Sequence, residues 1–368
     1  MDSVEPTGQP TPDAEPREAP PAATWPAVSV IMPVLDEEPY LRDAVGAVLA
    51  QDYPGEVELV VALGPSRDRT DEIAHALAAE DPRVRLVANP SGATPSGLNA
   101  AIRASRHDIV VRVDGHGRLA PGYLARAVEV LEKTGADNVG GLMAAVGETD
   151  FERAVARAMT SPLGIGGARF HVGGGEGPAS TVYLGVFRRD ALERLGGYDE
   201  TLRRAQDWEL NYRIRQSGGL VWFSPDLRVD YRPRPNLRAL ARQFYLTGQW
   251  RRLVSRLHPG TASLRYLAPP AAVVGCVVGL GAGLAGLSAK LPWLTAGFAV
   301  PAVYAGGVVV GSLVVGHGLP ARARLWLPVV VATMHLTWGA GFVTSPRTLA
   351  GSTGGRDAEA ADATDAPL

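Results

Sequence analysis

The sequence predicts an α/β fold with a mostly parallel sheet, followed by three apolar helices long enough to cross a membrane. Two patterns carry that expectation. In the N-terminal third, short β-branched runs alternate with stretches of helical spacing, the order that builds parallel β-α-β units with helices on both faces of one sheet. Near the C-terminus, residues 266–289, 291–316 and 325–345 are apolar, almost uncharged and each about twenty residues long, as a membrane span requires. Buried core helices would be the alternative, but three such runs in succession hold too little polar surface for a soluble layer.

The first strand is VSVIMPV (Val28–Val34), a buried run ending where Pro33 withholds a ladder donor. DEEPYLRDAVGAVLAQ then places acids in a first turn and apolar residues at Leu41, Ala44, Val45, Val48 and Leu49, which is helical spacing. VELVVAL and VRLVAN read as the second and third strands, with RTDEIAHALAAE and GLNAAIRAS as the helices that follow them. DIVVRVD is a fourth strand, and it runs directly into Asp114-Gly115-His116-Gly117. Ligands in such sheets bind beyond the carboxyl ends of the strands, where this turn sits. Residues 151–235 remain soluble in character, and GIGGARFHVGGGEG within them reads as a mobile loop near an acceptor, with His171 structural. RALARQFYLTGQWRRLVSRLH is basic and amphipathic, as expected of a helix lying in the membrane interface. The expected domains are a disordered tail over 1–26, an α/β domain over 27–235, this interfacial segment over 236–265, the spans within 266–345 and a disordered acidic tail over 346–368.

Composition narrows the function. The 368-residue chain has a formal net charge of -2, which gives no sign of a nucleic-acid binder. Its charge is uneven: residues 228–265 are rich in Arg with one acid, Asp230, while the last thirteen residues hold four acids and one Arg. The first 25 residues lack the basic and apolar regions of a secretory signal. Cys276 is the sole cysteine and excludes intramolecular disulfides. Counting Arg and Lys in the short loops puts the α/β domain and the Arg322 and Arg324 loop in the cytoplasm, with the C-terminus outside an inner or plasma membrane. His335 and Trp338, within the third span, are expected to pack.

Two constellations point to chemistry. A carboxylate and an imidazole two residues apart on a glycine-held turn can face one divalent cation and the oxygens of a diphosphate. In QDWEL, Asp207 and Glu209 stand at the start of a helix. They read either as a general base with its neighbour or as acids that favour the helix dipole.

VSVIMPVLDEEPYL, the strand ending in DGHG with Pro121 beyond it, GGYDETLRRAQDWELNYRIRQSGG and the three C-terminal apolar stretches together resemble the family 2 glycosyltransferases of the GT-A fold. Within that family the resemblance is to the membrane-bound branch of bacterial exopolysaccharide assembly, of the succinoglycan-biosynthesis type, and it covers residues 27–345. It implies an inverting transferase that uses a nucleotide-activated sugar and a divalent cation, Mg²⁺ or Mn²⁺. By the resemblance Asp114 and His116 take the two metal and diphosphate positions, with His116 where a second acid is usual. Asp207 takes the position of the base and Glu209 a supporting one. Pro33, Leu35 and Glu37 fall in the first nucleotide-contacting loop, in which Asp36 stands at a common Asn position. Asp68 supports the second such loop, where Ala62 and Leu63 replace the usual paired acids. Asn99 falls near the diphosphate or on a plain helix surface. Gln243 and Trp250 fall toward the acceptor at the interface.

The implied partners are a nucleotide-sugar donor, a lipid-linked or growing glycan acceptor and membrane lipid, without nucleic acid. A non-catalytic transferase-like membrane scaffold is the alternative, favoured by Ala62, Leu63 and His116 and opposed by the joint presence of Asp114 and Asp207. A nucleotidyltransferase ranks last, because PVLDEEPYL offers acids where a Gly-rich, Lys-containing loop would stand.

Overall fold

The computed structural model describes residues 25–261, 264–347 and 349, so the expected tails fall almost entirely outside the described residues. The chain begins β1 (Val28–Val34), α1 (Leu41–Leu49), β2 (Val57–Leu63), α2 (Thr70–Glu80), β3 (Val84–Ala88), α3 (Thr94–Ala104) and β4 (Ile109–Arg112). Next come β5 (Arg118–Leu119), α4 (Tyr123–Thr134), β6 (Asn138–Ala145), α5 (Asp150–Met159), α6 (Pro162–Ile165), α7 (Arg169–Val172) and β7 (Gly177–Pro178). β8 (Tyr183–Arg188), α8 (Arg189–Arg194), α9 (Gln206–Gln216) and β9 (Val221–Tyr231) complete the α/β part. Beyond it lie α10 (Leu237–Leu257), α11 (Leu264–Ala289), α12 (Pro292–Thr295), a 3-10 turn (Ala296–Phe298), α13 (Ala299–Val315) and α14 (Ala321–Thr344).

Among the described residues the strands form one nine-stranded sheet in the order β3-β2-β1-β4-β8-β6-β9-β5, with β7 paired to β9. β3, β2, β1 and β4 are parallel, as the alternation predicts, and all seven residues of β1 are buried. Strands are added outward from β1 to one side as β2 and β3 and then to the other side as β4, and such a switch point opens a crevice at the strands' carboxyl ends. From β8 onward the sheet is mixed: β8 is antiparallel to β4 and β6, while β9 is parallel to β6 and antiparallel to β5. Helical layers cover both faces. One core gathers Val30, Met32, Leu41, Val45, Leu124 and Val128, and the other gathers Ile31, Val60, Leu98, Val110, Phe187 and Phe223.

Two boundaries differ from expectation. α1 starts at Leu41, because residues 36–38 turn outward and hydrogen-bond to the loop after β2. α3 starts earlier, at Thr94, where Pro95 fits a first turn whose N–H would lack a partner anyway.

Three helical segments, Tyr266–Ala289, Pro292–Val315 and Ala321–Thr344, are long and apolar enough to cross a membrane. The third takes in Arg322 and Arg324, which were expected in a loop. α10 forms as predicted, but its apolar face is covered by protein. Leu240 and Phe244 join Val155, Ala158, Leu327, Val331 and Met334 in one cluster, and Trp250 and Leu253 pack on Leu202. Burial against α5 and α14 satisfies that face in place of lipid.

Candidate active site

The first wall of the crevice is the loop after β1. Asp36 sits at φ 53°, the left-handed region that Asn and Asp tolerate better than other side chains, which accounts for an Asp at this position. Its carboxylate accepts from the Arg67 N–H at 2.6 Å and pairs with the Arg67 guanidinium at 3.2 Å. The Glu37 N–H donates to Thr70 Oγ1 at 2.7 Å and the Glu38 N–H to Asp68 Oδ2 at 3.1 Å. Burial works to raise the Asp68 pKa, yet hydrogen bonds from Thr70 and the Glu38 N–H outweigh it and hold it below the ordinary carboxylate value. Asp68 therefore ties the loop after β2 to the loop after β1, behind the crevice wall.

The second wall is the DGHG turn. The Gly117 N–H donates to the Asp114 carbonyl at 2.8 Å and closes it. A Cβ on Gly115 would stand 2.9 Å from Glu37 Cγ and 3.0 Å from Val34 Cγ1, so the bare glycine lets the turn seat against the loop after β1. His116 Nδ1 then lies 2.8 Å from Glu37 Oε1 and donates to it, which leaves the lone pair of the neutral ring on Nε2. Desolvation lowers the His116 pKa, but the Glu37 carboxylate, its hydrogen bond and Asp114 outweigh it and raise it overall.

Asp207 reaches the same place from α9. Ala205 precedes that helix at φ 63° and turns the chain so that Asp207 in the first turn points into the crevice. Between Asp114 and Asp207 lies Arg112, on β4, whose side chain is 4% exposed. Its Nε and Nη2 donate to Asp114 Oδ1 at 3.0 and 2.9 Å, and its Nη1 donates to Asp207 Oδ1. One guanidinium thus fixes two carboxylates that are far apart in sequence. Desolvation, the largest influence, and Asp114 raise the Asp207 pKa above the ordinary carboxylate value, against the opposing pull of Arg112. The Arg112 guanidinium also lies 5.8 Å from the centre of the Tyr198 ring, and the Tyr198 hydroxyl is pushed up by burial.

The resulting cleft has a volume of about 490 Å³, within the range that holds nucleotide-sized ligands. Pro33, Leu35, Glu37, Asp114, His116, Asp207 and Trp250 line it, and so does Asp36. The structure therefore brings together the loop after β1, the DGHG turn, the start of α9 and α10 around one cleft. Asp68, Asn99, Glu209 and Gln243 do not line it. Asn99 clasps the chain after α8, donating to the Tyr198 carbonyl and Glu200 at 2.9 Å while accepting from the Tyr198 N–H. Glu209 is buried and pairs with Arg213 at 2.7 Å and His258 at 3.5 Å, which locks α9 to the end of α10. Gln243 donates to the Tyr231 hydroxyl at 2.9 Å, one residue behind the wall. The glycine-rich segment expected near an acceptor forms α6 and α7, with Arg169 donating to the Pro178 carbonyl at 3.0 Å, and contributes no lining residue. His335 Nε2 lies 2.7 Å from the Leu163 carbonyl, and Trp338 stacks on Tyr266 and Phe342.

Sequence reasoning missed Arg112 and the cationic rim of Arg203, Arg204, Arg232 and Arg234. A charge inside the apolar run VVRV was the signal for Arg112. Arg-Pro-Arg-Pro after β9 was the signal for part of the rim.

Residues 29–196 match glycosyl transferase family 2. The chain is 31% identical over 316 residues, 85% of its length and 93% of the relative's, to the succinoglycan biosynthesis protein ExoA of Rhizobium meliloti (strain 1021). It is 28% identical over 233 residues, 60% of its length and 72% of the relative's, to the glycosyltransferase AglE of Haloferax volcanii. A solved mannosyltransferase, PcManGT from Pyrobaculum calidifontis in complex with GDP-Man and Mn²⁺, superposes with a TM-score of 0.57 at 22% identity over 89% of each chain. The fold is that of the GT-A glycosyltransferases. The chain belongs to glycosyl transferase family 2, and over most of its length it is similar to a protein of succinoglycan biosynthesis.

Proposed function

We propose that the cleft binds a nucleoside-diphosphate sugar and transfers its glycosyl group, with inversion, to a hydroxyl of a lipid-linked or growing glycan acceptor at the cytoplasmic face of the membrane. The observation that carries this reading is the Arg112 clamp, which sets the donor-side Asp114 and the base candidate Asp207 in one cleft. In the transfer, the acceptor oxygen bonds to the anomeric carbon as the bond from that carbon to the phosphate oxygen breaks. The acceptor's proton passes to Asp207, and the nucleoside diphosphate leaves. The raised proton affinity of Asp207 suits a base, and Arg112 holds its carboxylate in place.

Among the described residues no group of three His, Cys, Asp or Glu side chains converges as a complete metal shell. The donor set nevertheless fits a cation shared with a diphosphate. Arg112 binds only Oδ1 of Asp114, and Glu37 holds the His116 ring through Nδ1, the arrangement in which a carboxylate orients an imidazole for a metal through its other nitrogen. A divalent cation bound there would be held by Asp114 and His116 and would offset charge on the departing diphosphate. The relative solved with GDP-Man and Mn²⁺ supports the same donor class. The arginine rim supplies further positive charge where the diphosphate is released. Trp250 and Thr247 bring α10, and with it the apolar helices, to the cleft edge, which favours an acceptor presented by the membrane.

The test is donor hydrolysis and transfer by the full-length detergent-purified protein against UDP-, GDP- and TDP-sugars, with Mn²⁺ or Mg²⁺ and a lipid-extract acceptor. Metal-dependent release of one nucleoside diphosphate, lost in Asp207→Asn and His116→Ala, is the expected result. Absence of both turnover and metal-dependent nucleotide binding with every donor would overturn it.

A further inference from the structure

The geometry points to a two-span topology: α14 does not cross the bilayer but lies along the membrane face of the catalytic domain. The α11–α13 hairpin alone spans, and the chain beyond α14 emerges on the same side as the cleft. This replaces the outside C-terminus expected from loop charges.

Both ends of α14 are fastened to the catalytic domain. Just before its start, Arg157 of α5 donates to the carbonyls of Val315, the last residue of α13, and His317 at 2.9 and 3.1 Å. In the first turns of α14, Trp326 packs edge-on against Phe151 of α5 with ring centres 5.4 Å apart. At its end, Thr344 Oγ1 lies 2.8 Å from the Tyr245 hydroxyl, and Ser345 Oγ donates to the Gln249 carbonyl at 2.9 Å. Arg256 donates to the carbonyls of Ser345 and Pro346 at 3.0 and 2.9 Å. Between these ends, a Cβ on Gly248 would overlap the Trp338 carbonyl and one on Gly341 the Tyr245 carbonyl, so the backbones of α10 and α14 run in contact. A helix of this length extends about 36 Å, so crossing a hydrocarbon layer of about 30 Å would carry its last turn to the far side. Its last turn instead grips Tyr245 and Gln249, and their neighbours Thr247 and Trp250 on α10 line the cleft. A helix end bound there is on the cleft's side.

The hairpin obeys the same rule. Tyr266, near the start of α11, stacks on Trp338 and lies under the Arg251 guanidinium at 3.8 Å from its ring centre. The far end of α13 is the one held by Arg157. A helix pair that leaves and returns on one face crosses an even number of times. Gly279 and Gly297 meet within it, where a Cβ on either would come within 2.6 Å of the other's carbonyl oxygen.

Charge agrees independently. Arg238, Arg242, Arg251, Arg252, Arg256, Arg322, Arg324 and Arg347 all fall on the cleft side in this arrangement, and Lys290 alone stands at the distal turn. The positive-inside rule counts Lys and Arg and gives acids little weight, so the acidic tail does not argue for export. Leu325, Val329 and Val343 remain exposed on α14 and present an apolar strip to acyl chains at the interface.

Single cysteines in a full-length Cys276→Ser background test the sidedness: Glu129→Cys on α4, Ser288→Cys near the hairpin turn, and Arg347→Cys beyond α14. Pro346→Cys repeats the last position with the arginine retained. A membrane-impermeant maleimide is applied to sealed cells and again after permeabilisation. The expected grouping puts Arg347→Cys and Pro346→Cys with Glu129→Cys, and Ser288→Cys by itself. Labelling of Arg347→Cys and Pro346→Cys together with Ser288→Cys would overturn the proposal, and so would labelling of Ser288→Cys together with Glu129→Cys. The grouping is independent of whether the cleft catalyses transfer.

Discussion

The donor side of the cleft and its membrane side are held by opposite means. On the donor side, charges and hydrogen bonds place the residues: Asp36 on Arg67, Asp68 on Thr70, Glu37 on His116, and Arg112 on both Asp114 and Asp207. On the membrane side, α10 and α14 are joined by glycines that let backbones touch and by apolar packing of Leu240, Phe244, Leu327, Val331 and Met334. Ionic placement fixes orientation and proton affinity, whereas close packing fixes distance. A cleft that is to bind the proposed charged donor and to meet an apolar surface requires both. The two sides are therefore expected to fail in different ways, the first on loss of charge and the second on gain of volume.

The largest expected effect is from Arg112→Met, which strips the shared counter-charge from two partly buried carboxylates. Removing one partner of a buried pair costs about 3–5 kcal/mol. Transfer should fall by about 10³-fold, because both acids lose their orientation. Steady-state kinetics and a melting curve check it, and near-normal activity would break the donor-side half of the contrast.

Gly248→Val is the matching test on the other side. The added carbons meet the Trp338 carbonyl, and forced overpacking costs about 3 kcal/mol. Melting in detergent should drop while metal-dependent nucleotide binding stays near normal, because the donor wall is untouched.

Glu58 shows an ionic cluster remote from the cleft. It is buried, accepts from Ser29 at 2.7 Å, and pairs with Arg85 and Arg106 at 3.0 Å each. Desolvation opposes these partners, but they win, and its pKa is lowered from 4.5 to about 2. A lowered folded-state pKa means the stabilisation is fully present above pH 4.5 and is lost as pH falls through about 2. Glu58→Gln should destabilise by about 3 kcal/mol at neutral pH. The gap between variant and wild type in denaturation midpoints should narrow steadily below pH 4.5 without a change in donor binding.

The smallest effect is expected from Thr149→Ala. It removes the capping box in which Thr149 Oγ1 accepts from the Glu152 N–H at 3.1 Å and costs about 1 kcal/mol of α5 stability. A melting shift with unchanged kinetics is the outcome that fits.

The legible parts of the sequence were those with local causes. β1, β2 and β4 lie inside the sheet, are largely buried and so read as nearly continuous apolar runs. The DGHG turn was legible because its glycines and its place after a strand are adjacent in the chain. β6 and β9 were not legible. Gly140 and Gly141 interrupt the apolar pattern of β6 because the Tyr183 and Leu227 carbonyls approach too closely for a Cβ, a cause that lies far away in sequence. Arg112 was visible as a charge in a strand, but its second partner, Asp207, belongs to α9, so its role as a clamp could not be read locally. Asn99 and Glu209 stood in plausible motif positions, and their hydrogen bonds show them fastening α3 and α9 in place. α14 has the length and composition of a span, and only its contacts with α5 and α10 distinguish a helix that lies flat from one that crosses.

The most direct test of the cleft's chemistry is to measure binding and transfer in the same Asp207→Asn preparation, using the donor that wild type accepts. Metal-dependent binding of that donor within a few-fold of wild type, together with transfer reduced by about 10³-fold, is the predicted result for a base that does not hold the donor. Transfer within threefold of wild type would contradict the assignment of Asp207 and with it the reading of the Arg112 clamp as the centre of the active site.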